Sequence, residues 1–529
     1  MKLFLPLLFL CSWCLSRAAE PLVLMQNLDG DLSFVGDTPE ESRDKLQKLV
    51  GAIADGPVKS LMWSIGAGSD VLYYQTRVAS TWGWRFTKYN KDPKWEKRIE
   101  RCRIATEAGL DAPRIVGEVA RARGLRFYPS YRMNDAHYCS DPLYYPLTGR
   151  FWMEHQDATL GTTPVQGAEV YQHLLNYARE EVRAYRLGVI VEAMNRYADL
   201  MDGFELDFNR FQVFFPPGQA EPNMHLLTEM VQKAREELNR ISKEQKRPMK
   251  LIVRVPPAVK NCTWAGIDLA TWIKGHLVDA IIPTQVMTLA HDMPLEEFVA
   301  LAKPEGIEVI GSLYGRSGYH WPFSAEHTEA SYMKEVSRTP DAAKFLGAAL
   351  NQRQMGASGH QIYNYILHTD PLTVKALSTQ QGSRRYCITT AYFHDHLDTY
   401  EYRKQLPAFL GVDGKVTLRV MMGENPAKAH ARAYLRLGLN GANQKYDDVK
   451  MTVTLNGETF HEGSTAAQMV VTKGLRHGIS CSPATEAYVQ WPVKDASLLK
   501  QGWNTIEISL QAASQPLEVV ETEITLLPP

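Results

Sequence analysis

Met201-Asp-Gly-Phe-Glu-Leu-Asp-Phe-Asn-Arg-Phe-Gln-Val-Phe-Phe215 decides how this chain is read. Phe204, Leu206 and Phe208 alternate with Glu205 and Asp207, the period of two that marks a β-strand. Such a strand turns both carboxylates to one face and its apolar groups to the other. Gly203 follows Asp202 as a turn residue indifferent to the sign of φ. A strand facing water would carry Lys, Thr or Ser on its polar side, whereas this one concentrates negative charge and continues into Asn209 and Arg210. The plain alternative is a solvated edge strand.

Working outward, strands and helices alternate from Glu20 to about Leu377. The strand patterns are Leu22 to Gln26, Ser60 to Ile65, Leu125 to Tyr131, Gly203 to Phe208, Lys250 to Val255, Ala280 to Pro283, Glu308 to Leu313 and His360 to Ile366. Helical patterns fall between them: one opened by Thr38-Pro39-Glu40-Glu41, then Trp95 to Ala122, Val165 to Ala198, Met224 to Glu244, Leu269 to His276, Leu295 to Ala302 and Glu326 to Met355. Eightfold alternation predicts an α/β fold, a (β/α)8 TIM barrel. A doubly wound sheet would want a Gly-rich phosphate turn after its first strand, and Leu28-Asp29-Gly30-Asp31 is not one. After the polar linker Ser378 to Ser383 the helical period fades into short alternating segments, with turn signals at Asn456-Gly457 and Gln501-Gly502. This predicts a C-terminal antiparallel β-sandwich. The expected divisions are a signal peptide at 1–18, the barrel at 19–380 and an accessory sandwich at 385–529, able to fold alone and leave the barrel's site unchanged. Trp491 and Trp503, if exposed there, could stack on sugar rings, though core positions suit them better.

Composition narrows the classes. The chain has 529 residues, with 58 Lys and Arg against 59 Asp and Glu, so no global charge points to nucleic acid. Met1-Lys2, the apolar run Leu3 to Leu15 and the small residues Ser16 and Ala18 read as a removable export signal, implying a secreted or periplasmic protein with no membrane span. Five cysteines follow it, widely spread and without a Cys-x-x-Cys pair, which disfavours a disulfide framework or a zinc site. Asn261-Cys262-Thr263 fits the N-glycosylation sequon. Strand one lacks a His-x-His motif, His137, His155 and His368 are scattered, and no Gly-x-Ser-x-Gly occurs, so neither metal hydrolysis nor a serine nucleophile is expected. No cofactor is expected, and oligomeric state is left open.

In a barrel, chemistry belongs to the carboxyl ends of the strands. Strand one ends with Asn27, Asp29 and Asp31, and strand two with Trp63, Ser64 and Asp70. Strand three ends with Arg132, Asn134, Asp135 and His137, and strand four with Glu205, Asp207, Asn209 and Arg210. Arg254, Gln285, Tyr314, Arg316, Tyr363, Asn364 and His368 come from strands five to eight. Paired acids among amides, arginines and aromatics suit sugar cleavage, where one carboxylate attacks or activates water and another protonates the leaving group. Asp207 is the expected nucleophile or base, as a strand-end carboxylate without a structural partner. Asp135 is the expected general acid, and Glu205 is either a second acid with raised pKa or a buried brace. Trp63, Arg132, Asn134, His137, Asn209, Arg210, Arg254, Gln285, Tyr314 and Tyr363 are the expected substrate contacts. The arginines suit a substrate bearing sulfate or carboxylate groups, or else neutralise neighbouring aspartates.

Leu175 to Tyr185, followed by Arg196-Tyr-Ala-Asp-Leu-Met-Asp-Gly-Phe-Glu-Leu-Asp-Phe208, resembles the fourth β/α unit of glycoside-hydrolase-like barrel proteins: a tyrosine-rich turn, Val-Arg opening a helix, then Asp-Gly-x-x-x-Asp on strand four. Arg132-Met-Asn-Asp-x-His137 and Phe151-Trp-x-x-His155 resemble the loop after strand three in the same secreted, often bacterial group, which includes the type called glycosyl hydrolase-like family ten. The likeness covers Leu125 to Phe215 well and the rest of the barrel in outline. It implies a carbohydrate substrate. The strand is also similar to the Asp-Gly-x-Asp-x-Asp-x-Glu strand of chitinases, but Asn209 stands where their acid would be, which argues against that chemistry. A carbohydrate-binding barrel that has lost catalysis is the alternative from another class.

Overall fold

A computed structural model describes residues 22–85, 93–135, 137, 148–162, 169–286, 288–315, 341–363, 365–389, 405–426, 432–441, 448–460, 468–471 and 487–527. Eight parallel strands close into a barrel: β1 (Leu24–Leu28), β2 (Val58–Ser64), β3 (Arg126–Arg132), β4 (Gly203–Asp207), β5 (Lys250–Val255), β6 (Ala280–Pro283), β7 (Glu308–Tyr314) and β8 (Gly359–Tyr363), with β1 pairing both β2 and β8. A helix follows each strand before the next begins: α1 (Pro39–Ala54), α2 (Ala112–Ala122), α3 (Glu180–Arg196), α4 (Met224–Glu244), α5 (Leu269–Lys274), α6 (Leu295–Ala302), α7 (Ala342–Gln354) and α8 (Pro371–Thr379). Thr38 caps α1 by accepting from the Glu41 amide at 3.1 Å, ahead of an acidic first turn.

Two expected helices are shorter than their patterns. The segment Trp95 to Ala122 divides into Pro93–Glu107 and α2, because Gly109 takes φ +79° and Asp111 then caps Ala112-Pro113. Among the described residues from Val165 to Ala198, only Glu169–His173, a 3-10 turn, and α3 are helical, since Asn176 to Arg179 form the turn that opens α3. The stretch 316–340 and Asn364 lie outside the described residues, and so does Arg316.

Strand parity divides the barrel interior from its surroundings. Met25, Met62, Tyr128, Ile252, Ala280, Ile282 and Ile310 form an apolar plug inside the barrel. Phe204 and Leu206 of β4, with Phe208 just after it, point the other way and pack beneath the helices with Leu227, Val231 and Trp272. The carboxylates of β4 therefore face inward, above the plug.

The C-terminal region is a sandwich of two antiparallel sheets. One runs β9 (Arg384–Thr389), β18 (Leu517–Leu527), β12 (Arg432–Asn440), β16 (Ala487–Val493) and β15 (Gln468–Val471), with β10 (Ala408–Leu410) also on β18. The other runs β11 (Lys415–Met422), β17 (Gly502–Ala512), β13 (Lys450–Leu455) and β14 (Glu458–Phe460). Asn456 and Gly457 both take positive φ and join β13 to β14 in a two-residue hairpin. Trp491 is buried, and Trp503 packs against the barrel's own core beneath Arg419. Neither is an exposed platform.

The sandwich is docked against α7. Lys344 to Gln352 are buried without interruption, the pattern of a helix covered on every side. Asn351 donates to the carbonyls of His291 in the barrel and Met421 in the sandwich, both at 2.9 Å. Arg385 pairs with Asp341 at 2.5 Å and with Glu523, while Lys344 lies 3.4 Å from Glu521. Burial works to raise the Glu523 carboxyl, but the Arg385 and Lys344 charges outweigh it and hold it down, to about 2. Cys102, Cys262 and Cys387 are buried free thiols, and Cys139 and Cys481 lie outside the described residues. Asn261 of the sequon is wholly buried, which closes it to glycosylation in the folded chain.

Candidate active site

The mouth of the barrel is built by register. Arg132, Asp207 and Arg254 are lateral partners on β3, β4 and β5, and Tyr314, Tyr363 and Asn27 are partners on β7, β8 and β1. Side chains of laterally paired parallel residues point the same way, so these groups all face the barrel interior near the carboxyl ends of their strands.

Asp207 is buried and held from three directions. Arg254 donates through Nε to Oδ1 at 2.9 Å and through Nη2 to Oδ2 at 2.5 Å, and the Asn209 amide donates to Oδ1 at 2.9 Å. This corrects the expectation that Asp207 lacks a structural partner. A carboxylate offers about four acceptor sites, so one remains for a reacting group. The Arg254 guanidinium lies 3.7 Å over the Tyr363 ring, and its Nη1, buried, has no hydrogen-bond partner among the described residues.

Glu205 sits one layer deeper, beside Ser130 of β3 and wholly buried. Asn27 donates to Oε2 at 2.6 Å and Gln361 to Oε1 at 2.5 Å. Burial pushes its carboxyl up and the Asp207 charge adds to the rise, against Arg254 and the hydrogen bonds from Ser130 and Gln361. With both oxygens engaged beneath the mouth, Glu205 occupies the place of the brace.

Asp135 belongs to a chain of charged groups. It accepts from Arg132 Nη1 at 2.9 Å, from the His137 amide at 2.9 Å and from His137 Nδ1 at 2.5 Å, while Arg210 Nη2 lies 2.6 Å from His137 Nε2. Burial would raise the Asp135 carboxyl, but His137 and Arg132 outweigh it and hold it well below the usual carboxylate range. Burial pulls His137 down, and the Arg210 charge adds to this against Asp135. A neutral imidazole with its proton on Nδ1 satisfies both neighbours. A carboxylate held ionised is the wrong form for a proton donor, so the geometry turns Asp135 from the expected acid into an anchor for Arg132 and His137.

Asp29, on the turn after β1, enters the site more fully than sequence reading suggests, and the exposed Asp31 follows it on the same turn. Asp29 Oδ1 meets Arg132 Nη2 at 2.7 Å with nearly a third of the side chain exposed. Burial tends to raise it, but Arg132 and Arg210, with hydrogen bonds from Arg132 and Tyr363, hold it down. Asp31 is pushed the other way, by loss of water around its carboxyl and by the charge of Asp29, over the opposition of Arg98 and Arg132. Their signal was the spacing Asn27-x-Asp29-x-Asp31 at a strand end, which looks like ordinary turn chemistry.

The other expected contacts divide. Arg210, Tyr314 and Tyr363 belong to the mouth, the two tyrosine rings lying 5.3 Å apart. Asn209, wholly buried, takes a hydrogen bond from Gln212 and keeps Nδ2 without a partner among the described residues. Gln285 is buried just beyond β6, with Oε1 without a partner among the described residues. Asn134 instead braces loops, donating to the carbonyls of Leu175 and Val213 at 3.0 and 2.9 Å. Trp63 is a correction: Met62 faces the interior, so Trp63 faces the helices and is wholly buried among apolar groups. Asp70 pairs with Arg186 of α3 at 2.6 Å and accepts from Tyr131 at 2.9 Å. Among the described residues, the one cluster with metal-like spacing is Cys387, Glu521 and Glu523 at the domain junction, where Arg385 already pairs with Glu523.

No family model matches the chain, and no curated protein matches it. Among solved structures, the chain is similar to the PgaB (BpsB) glycoside hydrolase domain from Bordetella bronchiseptica, at 13% identity over 68% of this chain and 99% of that one, with a TM-score of 0.43. It is similar to a chitinase from Chromobacterium violaceum at 12% identity, over 68% and 98%, with a TM-score of 0.35. Alpha-L-fucosidase isoenzyme 1 from Paenibacillus thiaminolyticus matches at 12% identity over 93% of this chain and 96% of that one, with a TM-score of 0.34. These structural neighbours are glycoside hydrolases, but likeness this distant decides neither a family nor an activity for this chain.

Proposed function

We propose that the chain is an exported glycoside hydrolase that cleaves a poly- or oligosaccharide at the barrel mouth. The observation that carries this reading is Asp207, a strand-end carboxylate clamped by Arg254 with one acceptor site open, at a barrel mouth where the Asp29 carboxyl is held down and the Asp31 carboxyl is pushed up from the usual range. Acids driven apart in this way divide naturally into a charged partner and a proton donor. In this proposal Asp207 attacks the anomeric carbon or activates water, Asp31 protonates the departing oxygen, and Asp29 holds Arg132 in place. Buried donors without partners, Arg254 Nη1 and Asn209 Nδ2, suit the hydroxyl oxygens of a sugar. Arg132 and Arg254 are committed to aspartates, so an anionic substituent would fall to Arg210, whose close contact is the neutral His137.

The test is the full chain against a panel of neutral, uronate-bearing and sulfated polysaccharides with detection of new reducing ends. Release from at least one supports the reading. Binding without release across the panel would instead make this a carbohydrate-binding barrel.

A further inference from the structure

A cleft of about 860 Å3 opens between the segment Gln212 to Pro222, which follows β4, and the short helix Val259–Ala265, which follows β5. Its volume falls within the roughly 300–1,000 Å3 typical of ligand sites. These two loops extend the very strands that carry Asp207 and Arg254. Gln212 joins the regions directly: it lines the cleft and donates to Asn209, whose amide bonds Asp207.

The lining combines two kinds of surface. Pro216, Pro217 and a half-buried Trp264 offer apolar faces, backed by the buried rings of Phe214 and Phe215, and Lys260 and Glu221 stand at the polar edge. Sugar rings present C–H faces and hydroxyl edges, so they need both. The wall is fixed before any ligand arrives: Asn134 donates to the Val213 carbonyl at 2.9 Å, and the Tyr177 amide to that of Phe214 at 2.8 Å. Gly266, with φ +83°, ends the short helix against Phe215, where a Cβ would lie 2.6 Å from the ring. A wall set in advance lowers the ordering cost of binding.

We infer that this cleft is an extended subsite for the sugar chain, holding units that lie beyond the bond being cleaved, with Trp264 as its stacking surface. The inference rests on the mouth being a carbohydrate site, and it makes the protein a reader of chain length. Trp264→Ala, Trp264→Phe and the wild-type full chain would be titrated on an array of neutral and anionic oligosaccharides of one to eight sugars, with reducing-end release measured in parallel.

Wild-type affinity should rise with length beyond two sugars. Trp264→Ala should lose that rise, at least tenfold for the longer chains, while Trp264→Phe keeps it within about threefold and both variants melt like wild type. Affinity independent of length, or a Trp264→Ala titration matching wild type, would overturn the inference. The two readings fail separately. Length-dependent binding that needs Trp264 without any cleavage keeps the cleft and removes the hydrolase, whereas cleavage indifferent to length and to Trp264 does the reverse. Binding to no glycan on the array would overturn both.

Discussion

The barrel mouth and the domain junction bury the same chemistry for different ends. At the junction, Lys344, Arg385, Glu521 and Glu523 are all buried, and α7 and the sandwich strands close over them. At the mouth, Arg132, Arg254, Asp135 and Asp207 are as deeply buried, yet Asp29 reaches solvent and Arg254 keeps a donor without a partner. Buried ion pairs therefore do not mark a functional site by themselves, since pairing charges inside a protein often yields little net stability. The distinguishing feature is convergence of these groups from several strand ends of the barrel.

Removing one partner should expose the difference. Arg254→Leu leaves Asp207 charged and unpaired, and should cost about 3–5 kcal/mol of stability, with the Asp207→Asn/Arg254→Leu double variant recovering part of it. Thermal melts of the single and double variants measure this, and a single variant that melts like wild type would show the pair to be well solvated.

A smaller effect is expected at Asp31. Asp31→Asn should slow substrates with poor leaving groups by on the order of 100-fold while sparing activated aryl glycosides. A general acid works only while it holds its proton, so wild-type activity should fall as pH rises through the raised Asp31 pKa, and the variant should lose that alkaline limb. Equal losses on both substrate types would remove Asp31 from the role.

The smallest effect belongs to the junction. Lys344→Met leaves Glu521 buried opposite an apolar group and should cost about 1–3 kcal/mol of stability, read as a lower melting temperature with turnover at the mouth unchanged. A drop in turnover without a drop in melting temperature would tie the junction to the chemistry and erase the contrast.

The difference between the two regions also sets what the sequence reveals. All eight barrel strands are legible because each is a short apolar or alternating run beside a helical pattern, and β5 and β6 match their predicted ends. The inward turn of Glu205 and Asp207 follows from period two alone. Trp63 misleads because parity in a fully buried strand cannot be read without a polar face to mark it, whereas Met62 beside it faces the plug. The pairings Arg254–Asp207 and Arg132–Asp29 depend on barrel register, which local sequence does not encode. Asp135 is legible as a site residue but not as an ion-pair anchor, for the same reason. β18 is an interior strand of its sheet and pairs with β9, β10 and β12, yet its Leu-Glu-Val-Val-Glu-Thr-Glu-Ile run buries Glu521 and Glu523, residues that normally signal solvent.

The most direct measurement follows one glycan through both binding and cleavage at Asp207. With a chain that the wild type cleaves, Asp207→Asn should bind within a few-fold of wild type by calorimetry while releasing reducing ends at least about 1,000-fold more slowly, as expected when a group acts on the transition state. Cleavage by Asp207→Asn at the wild-type rate, in a variant that binds normally, would contradict the assignment of the barrel mouth as the catalytic centre.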